Sequence, residues 1–279
     1  EAQLDATHAL VLEHAGRIHP FASYYPRRAL RDGNALTLVE EALASGMIGV
    51  KVYPPLGYRP WGNAELPDTS EDPRPADAAL FDAALAELYD YCAANDVPIA
   101  AHCSNPGAEA RPGRGLNADP AYWRPVLERY RARGTPLRIN LNHAGGLEQL
   151  IERPEESWAW TLGRMIEDEG HELLFADVGH LDEVLEPETR ARLAQALGAY
   201  FERFPKVKQR LMFGSDWHML VRRPGHRDYL REQVRFIEEF FPEMKADFLG
   251  GNALRYLGLE PGQATWRRLD AFYPSHGLP

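Results

Sequence analysis

Cysteine is scarce. Cys92 and Cys103 are the only two in 279 residues, too few for a disulfide framework, so a reducing compartment, the cytoplasm, is the expected setting. No apolar run has the length of a membrane span, and no signal peptide is visible. Positive charge is also short: 31 Lys and Arg stand against 41 Asp and Glu, a formal net charge of -10. Without a broad basic face, a general nucleic-acid binder is disfavoured. Acidic runs such as Glu167 to Glu172 read as solvated surface. Low-complexity segments and linkers are missing as well, so residues 1–279 read as one domain. So is the glycine-rich phosphate turn that usually follows the first strand of an open nucleotide-binding sheet.

What the sequence has is alternation. Short apolar runs at Gly16 to Tyr25, Met47 to Pro55, Val97 to Ser104, Leu137 to Gly146, Glu172 to His180 and Arg210 to His218 read as strands. Helical patterns separate them, at Ala35 to Ser45, Ala76 to Asn95 (apolar at Leu80, Ala84, Leu88 and Tyr91), Tyr122 to Arg133, Trp158 to Glu169 and Glu188 to Phe204. More helix follows through Leu257. Strict alternation implies a parallel sheet covered by helices. Strand after strand ends on a polar or ionisable residue: Lys51 and Tyr53, His102, His143, Asp177 and His180, Asp216 and His218. In a closed parallel barrel those ends converge on the one face where such barrels do chemistry.

Imidazoles and a carboxylate gathered there suit a divalent metal such as zinc, with a water in the open position. Each residue also has a plainer reading. His102 and His143 could be core histidines bonded to backbone, Asp216 a helix cap, Lys51 an ion-pair lysine and Asp177 a turn residue. The joint pattern is more specific than any member. Cys103 should pack as a small apolar residue, turned away from His102 by strand alternation.

The motifs Ala101 to Cys103 (AHC), Asn142 to Gly146 (NHAGG), Phe213 to Trp217 (FGSDW) and Gly250 to Leu259 (GGNALRYLGL) resemble the amidohydrolase superfamily. More narrowly, they are similar to its amidohydrolase-related branch, which includes aminocarboxymuconate-semialdehyde decarboxylase, resorcylate decarboxylases and lactonases. The resemblance runs from about Gly16 to Leu259. It implies a distorted (β/α)8 TIM barrel with one divalent metal, usually zinc. It also implies His102 as a metal ligand, Asp216 as a residue binding metal or its water, and His143 as a further ligand or the acid/base. Asn252 falls in the closing structural motif and is expected to cap a helix.

Members open on a first strand ending in His-x-His, and no such pair occurs among the ten histidines. His19 with Pro20 and Phe21 looks like the family's third strand. The expectation is therefore a barrel whose first two strands lie upstream of Glu1. In the loop after Lys51, Arg59 is a candidate for gripping a substrate carboxylate, with Tyr58 and Trp61 as an apolar wall; pinning the loop is the alternative. The long loop from Gly57 to Pro75 reads as a lid or site wall. Lys51 and His218 are further candidates for substrate contact.

Three functions stay open. One is metal-dependent hydrolysis of an ester, lactone or amide of a small carboxylate-bearing molecule. The second is non-oxidative decarboxylation of a small unsaturated or aromatic acid. The third is a non-catalytic barrel used as a binding subunit. A small-molecule partner and a possible homo-oligomer go with the first two.

Overall fold

The computed structural model describes residues 2–104 and 109–278. Six strands form one parallel sheet in sequential order: β1 (Phe21–Tyr24), β2 (Gly49–Val52), β3 (Ile99–His102), β4 (Ile139–Asn142), β5 (Leu174–Asp177) and β6 (Leu211–Met212). The helices are α1 (Ala2–Glu13), α2 (Pro26–Asp32), α3 (Ala35–Ala44), α4 (Ala78–Asn95), α5 (Arg124–Ala132) and α6 (Trp158–Glu167). They continue with α7 (Pro187–Arg203), α8 (Trp217–Leu220), α9 (Tyr229–Phe240), α10 (Asn252–Leu257) and α11 (Ala264–Ser275). Every sequence-predicted strand is present, shorter than its apolar run. The last is only two residues long because Gly214 to Asp216 leave the ladder to form the wall of a cavity.

Period-two alternation sorts each strand into two faces. Outward residues such as Val50, Val52, Ile99, Ala101, Ile139 and Leu141 are buried under the helices. In the helix before β3, the stripe that meets them is Phe81, Ala84, Leu85, Leu88 and Cys92. Leu80, expected in that stripe, is 55% exposed. It lies one position off the contact line, and its apolar character does not alter the helical phase.

Strands β1 and β6 are the two ends of the sheet. Between them the inner face is covered by α10. Tyr256 stacks on Phe21 of β1 (ring centroids 6.4 Å apart) and tilts against Phe175 of β5 at 5.7 Å. Asn252 holds α10 there, and this corrects its expected role. Its side chain does not cap the helix; its amide donates to the Leu211 carbonyl at 2.8 Å and the Lys208 carbonyl at 3.2 Å. The helix is thereby tied to the start of β6. Among the described residues, no helix is long and apolar enough to cross a membrane.

Candidate active site

The inward residues of the strands are small or polar toward their C-terminal ends. Lys51, Ala100, Asn140, Asn142 and Asp177 line a cavity of about 550 Å³ together with Met212 to Asp216 and α10. A second cavity, of about 680 Å³, adjoins it and shares Lys51, His143, Gly179 and Asp216. Its walls add Tyr53, His102, His180, Glu183 and His218. The structure therefore places His102, His143, Asp216, Lys51 and His218 around one space at the C-terminal ends of parallel strands.

His102 ends β3 and is 6% exposed. Burial, then the neighbouring His143 and Lys51, push its ring down to about 3, so it is neutral at physiological pH. Its Nε2 is buried with no hydrogen-bond partner. The rings of Tyr53 and His143 flank it at 4.6 Å and 4.8 Å between centroids.

The chain past β4, β5 and β6 is bent in a way that costs energy. His143, Ala144, His180 and Asp216 all have positive φ, between 48° and 66°. Among the described residues only one other non-glycine does, Asp96 at a helix C-terminus. Such conformations cost on the order of 1–3 kcal/mol each and persist where surrounding contacts impose them. Asp216 occupies the N-cap position of α8 but makes no side-chain cap. Its Oδ1 instead pairs with His218 Nδ1 at 3.0 Å. The helix-cap alternative for Asp216 is therefore not what its carboxylate does.

Asp177 is the hub of the interior. Its Oδ2 accepts from Asn140 Nδ2 at 2.8 Å and Asn142 Nδ2 at 2.5 Å, and its Oδ1 from the Gly179 N–H at 2.9 Å and the His143 N–H at 3.1 Å. Burial alone would raise the carboxyl, but His143 and these donors hold it below the ordinary carboxylate range. Lys51 Nζ donates to Asn142 Oδ1, which joins the amine to the same network. Burial pushes Lys51 down to about 8, opposed by the charges of Asp177 and Asp216. Sequence reasoning did not single out the pair Asn140 and Asn142. Their spacing of two on one strand was the available signal, since it puts both amides on the inner face. Glu183 was also missed. Burial, with Glu148 and Asp182 nearby, raises it to about 7, and nothing local in the sequence marks it.

Tyr58, Arg59 and Trp61, expected over the site, lie elsewhere. Tyr58 is fully buried in the core, and its hydroxyl oxygen accepts the Tyr53 N–H at 2.7 Å. The Arg59 guanidinium sits over the Tyr122 ring at 4.4 Å and reaches the Glu65 carbonyl. Trp61 packs under Arg129. The turn at Pro54–Leu56 and Gly57 sends this segment back onto α4, where buried Asn63 bonds Asp82 at 2.6 Å. The loop from Gly57 to Pro75 is latched to residues 109–117 by Arg114 and Asp72, with two N···O distances of 2.6 Å. It walls a separate cavity of about 250 Å³.

Across residues 5–259 the sequence matches the family model described as amidohydrolase. The chain belongs to the amidohydrolase family. It is accordingly an enzyme, from a family generally dependent on divalent metal. The fold has counterparts among solved structures. An uncharacterized TIM-barrel protein from Bordetella bronchiseptica is 18% identical, over 91% of this chain and 71% of that one, with a TM-score of 0.55. A 4-oxalomesaconate hydratase from Rhodopseudomonas palustris is 16% identical, over 98% and 72%, with a TM-score of 0.54. A probable 2-pyrone-4,6-dicarboxylic acid hydrolase from Acinetobacter baumannii, solved with citric acid bound, is 13% identical, over 91% and 78%, with a TM-score of 0.52. These likenesses are of fold. The sheet is the α/β sheet of a TIM barrel, with six strands among the described residues. No curated protein matches the chain.

The metal expected of the family can be set against the donors. The neutral ring of His102, with its buried and unpartnered Nε2, suits a divalent ion such as zinc. Among the described residues, however, no three His, Cys, Asp or Glu side chains are gathered closely enough to hold one. These residues fit as part of a ligand set.

Proposed function

We propose that this amidohydrolase hydrolyses an ester, lactone or amide bond in a small carboxylate-bearing molecule, with a divalent metal, most simply zinc. The observation that carries the reading is the unpartnered, buried Nε2 of His102 beside His143 in the strand-end cavity. A buried polar atom left unbonded costs about 1–3 kcal/mol, a cost that coordination of an ion at Nε2 would remove. His102 and Asp216 would hold the ion, which when bound acidifies a water and polarises a carbonyl.

The remaining work falls to the chain's own groups. His143 donates from Nδ1 to the Gly179 carbonyl at 2.9 Å, so Nε2 is the ring atom left to exchange a proton with water or substrate. It takes the proton of the attacking water and returns it to the leaving group. Lys51, which lines both cavities, attracts the substrate carboxylate, and His218 lies at the same wall beside Asp216. Tyr58, Arg59 and Trp61 are assigned to holding the loop. Support for carboxylate-bearing substrates also comes from the names of two fold relatives, a probable 2-pyrone-4,6-dicarboxylic acid hydrolase and a 4-oxalomesaconate hydratase.

The test is a panel of lactones, esters and unsaturated or aromatic acids offered to metal-loaded protein. Product analysis should show addition of water without gas. Release of carbon dioxide would replace hydrolysis with decarboxylation, and no turnover of any class would favour a binding role.

A further inference from the structure

We infer that Asp177 is a positioning residue that holds the His143 ring with its Nδ1–H on the Gly179 carbonyl, an inference that rests on the acid–base role proposed for His143. Asp177 bonds both ends of the unit that orients the ring. One oxygen, Oδ1, receives the His143 N–H at 3.1 Å and the Gly179 N–H at 2.9 Å. The Gly179 carbonyl in turn receives His143 Nδ1 at 2.9 Å. A carbonyl can only accept, so this bond puts a ring proton on Nδ1, and in the base form of the ring the lone pair is then on Nε2. Asp177 fixes where that carbonyl stands.

The same oxygen also holds the unfavourable backbone. His143 and Ala144 have φ of 66° and 48°, and the His143 N–H bonded to Asp177 is one of the contacts that impose the bend. Two asparagine amides fill the other oxygen. Four N–H donors converge on one carboxylate, the arrangement an ionised, acceptor-only group satisfies and an amide does not. Space is fitted as closely as charge. A Cβ on Gly179 would stand 3.0 Å from Asp177 Oδ1 and 3.2 Å from His143 Nδ1. One on Gly214 would stand 3.0 Å from that oxygen and from Gly179 N. A side chain on either side would press on the carboxylate and its partners, which would have to give by a few tenths of an ångström.

The experiment reads the His143 tautomer directly, by two-bond ¹⁵N–¹H correlation on ¹⁵N-histidine-labelled protein, with His143→Gln to assign the signal. Wild type should show a single Nδ1–H tautomer. Asp177→Asn turns an amide's own hydrogens toward donors and should give a shifted or tautomer-averaged signal, with kcat down about 100-fold and KM within about twofold on any accepted ester. Gly179→Ala keeps the carboxylate, displaces the carbonyl and should do the same; it decides the matter if Asp177→Asn does not fold. An Nε2–H tautomer in wild type, or an unchanged signal in the deciding variant, would overturn the inference. A locked Nδ1–H ring in a protein that hydrolyses nothing would instead overturn the proposed reaction and leave this inference standing.

Discussion

The rings of His102 and His143 meet edge to face, 4.8 Å between centroids and 67° between planes. One comes from the end of β3 and the other from the bend just past β4, so the contact exists only because neighbouring parallel strands end at the same level. It gives one place two imidazoles with different partners: buried His102 with an unpartnered Nε2, and half-buried His143 tied through Nδ1. Replacing His143 by Gln should keep the contact's volume and remove the base. We expect kcat to fall about 100-fold or more with little change in KM, measured on the best substrate of the panel. A fall in kcat/KM carried by KM alone would make His143 a binding residue.

Lys51 is the lysine that both strand-end cavities share. A hydrogen bond to a charged group contributes about 1.5–3 kcal/mol, which corresponds to about 10–100-fold in affinity. Lys51→Met should therefore raise KM by about that factor for carboxylate substrates and much less for their neutral esters. Equal losses on both would remove Lys51 from carboxylate recognition.

Tyr58 and Arg59 should behave as structural residues. Tyr58→Phe leaves the Tyr53 N–H without its acceptor, a cost of about 1–3 kcal/mol when buried. Arg59→Ala loses the contact with Tyr122, about 0.5–2 kcal/mol for a half-buried pair. Thermal unfolding should show both losses. KM for carboxylate substrates should be unchanged in Arg59→Ala, and a rise would return the guanidinium to the site.

Glu183 sets a pH dependence. Its folded value, about 7, lies above the ordinary 4.5 because burial penalises the charged form. Between those values the folded state binds the extra proton, so its contribution is complete below about pH 4.5 and is lost as pH rises through about 7. Glu183→Gln should leave Tm little changed near pH 4.5 and raise it above pH 7, flattening the wild-type decline. Parallel Tm profiles for the two proteins across pH 5–8 would contradict this.

The alternating pattern of strands and helices was readable because apolar period two and period 3.6 follow directly from which face is buried. The strand-end polar residues were readable for the same reason: a parallel sheet aligns its ends. Leu80 shows one limit, since apolar character alone does not say which of several apolar rows faces the sheet. Tyr58, Arg59 and Trp61 show another. Their placement depends on a turn through Gly57 (φ 114°) and on the buried bond of Asn63 to Asp82, a contact 19 residues apart in sequence. Asp177 kept a turn residue as its plainer reading because its four donors come from one neighbouring strand, β4, and from two bends.

The most direct test of the central claim is hydrolysis before and after metal removal, in wild type and in His102→Ala. The account predicts that chelation and exhaustive dialysis abolish turnover in wild type and that added Zn²⁺ restores it. It predicts that His102→Ala stays folded by circular dichroism and is not restored at the same Zn²⁺ concentration. Full activity in metal-free wild type, or equal restoration of His102→Ala, would contradict it.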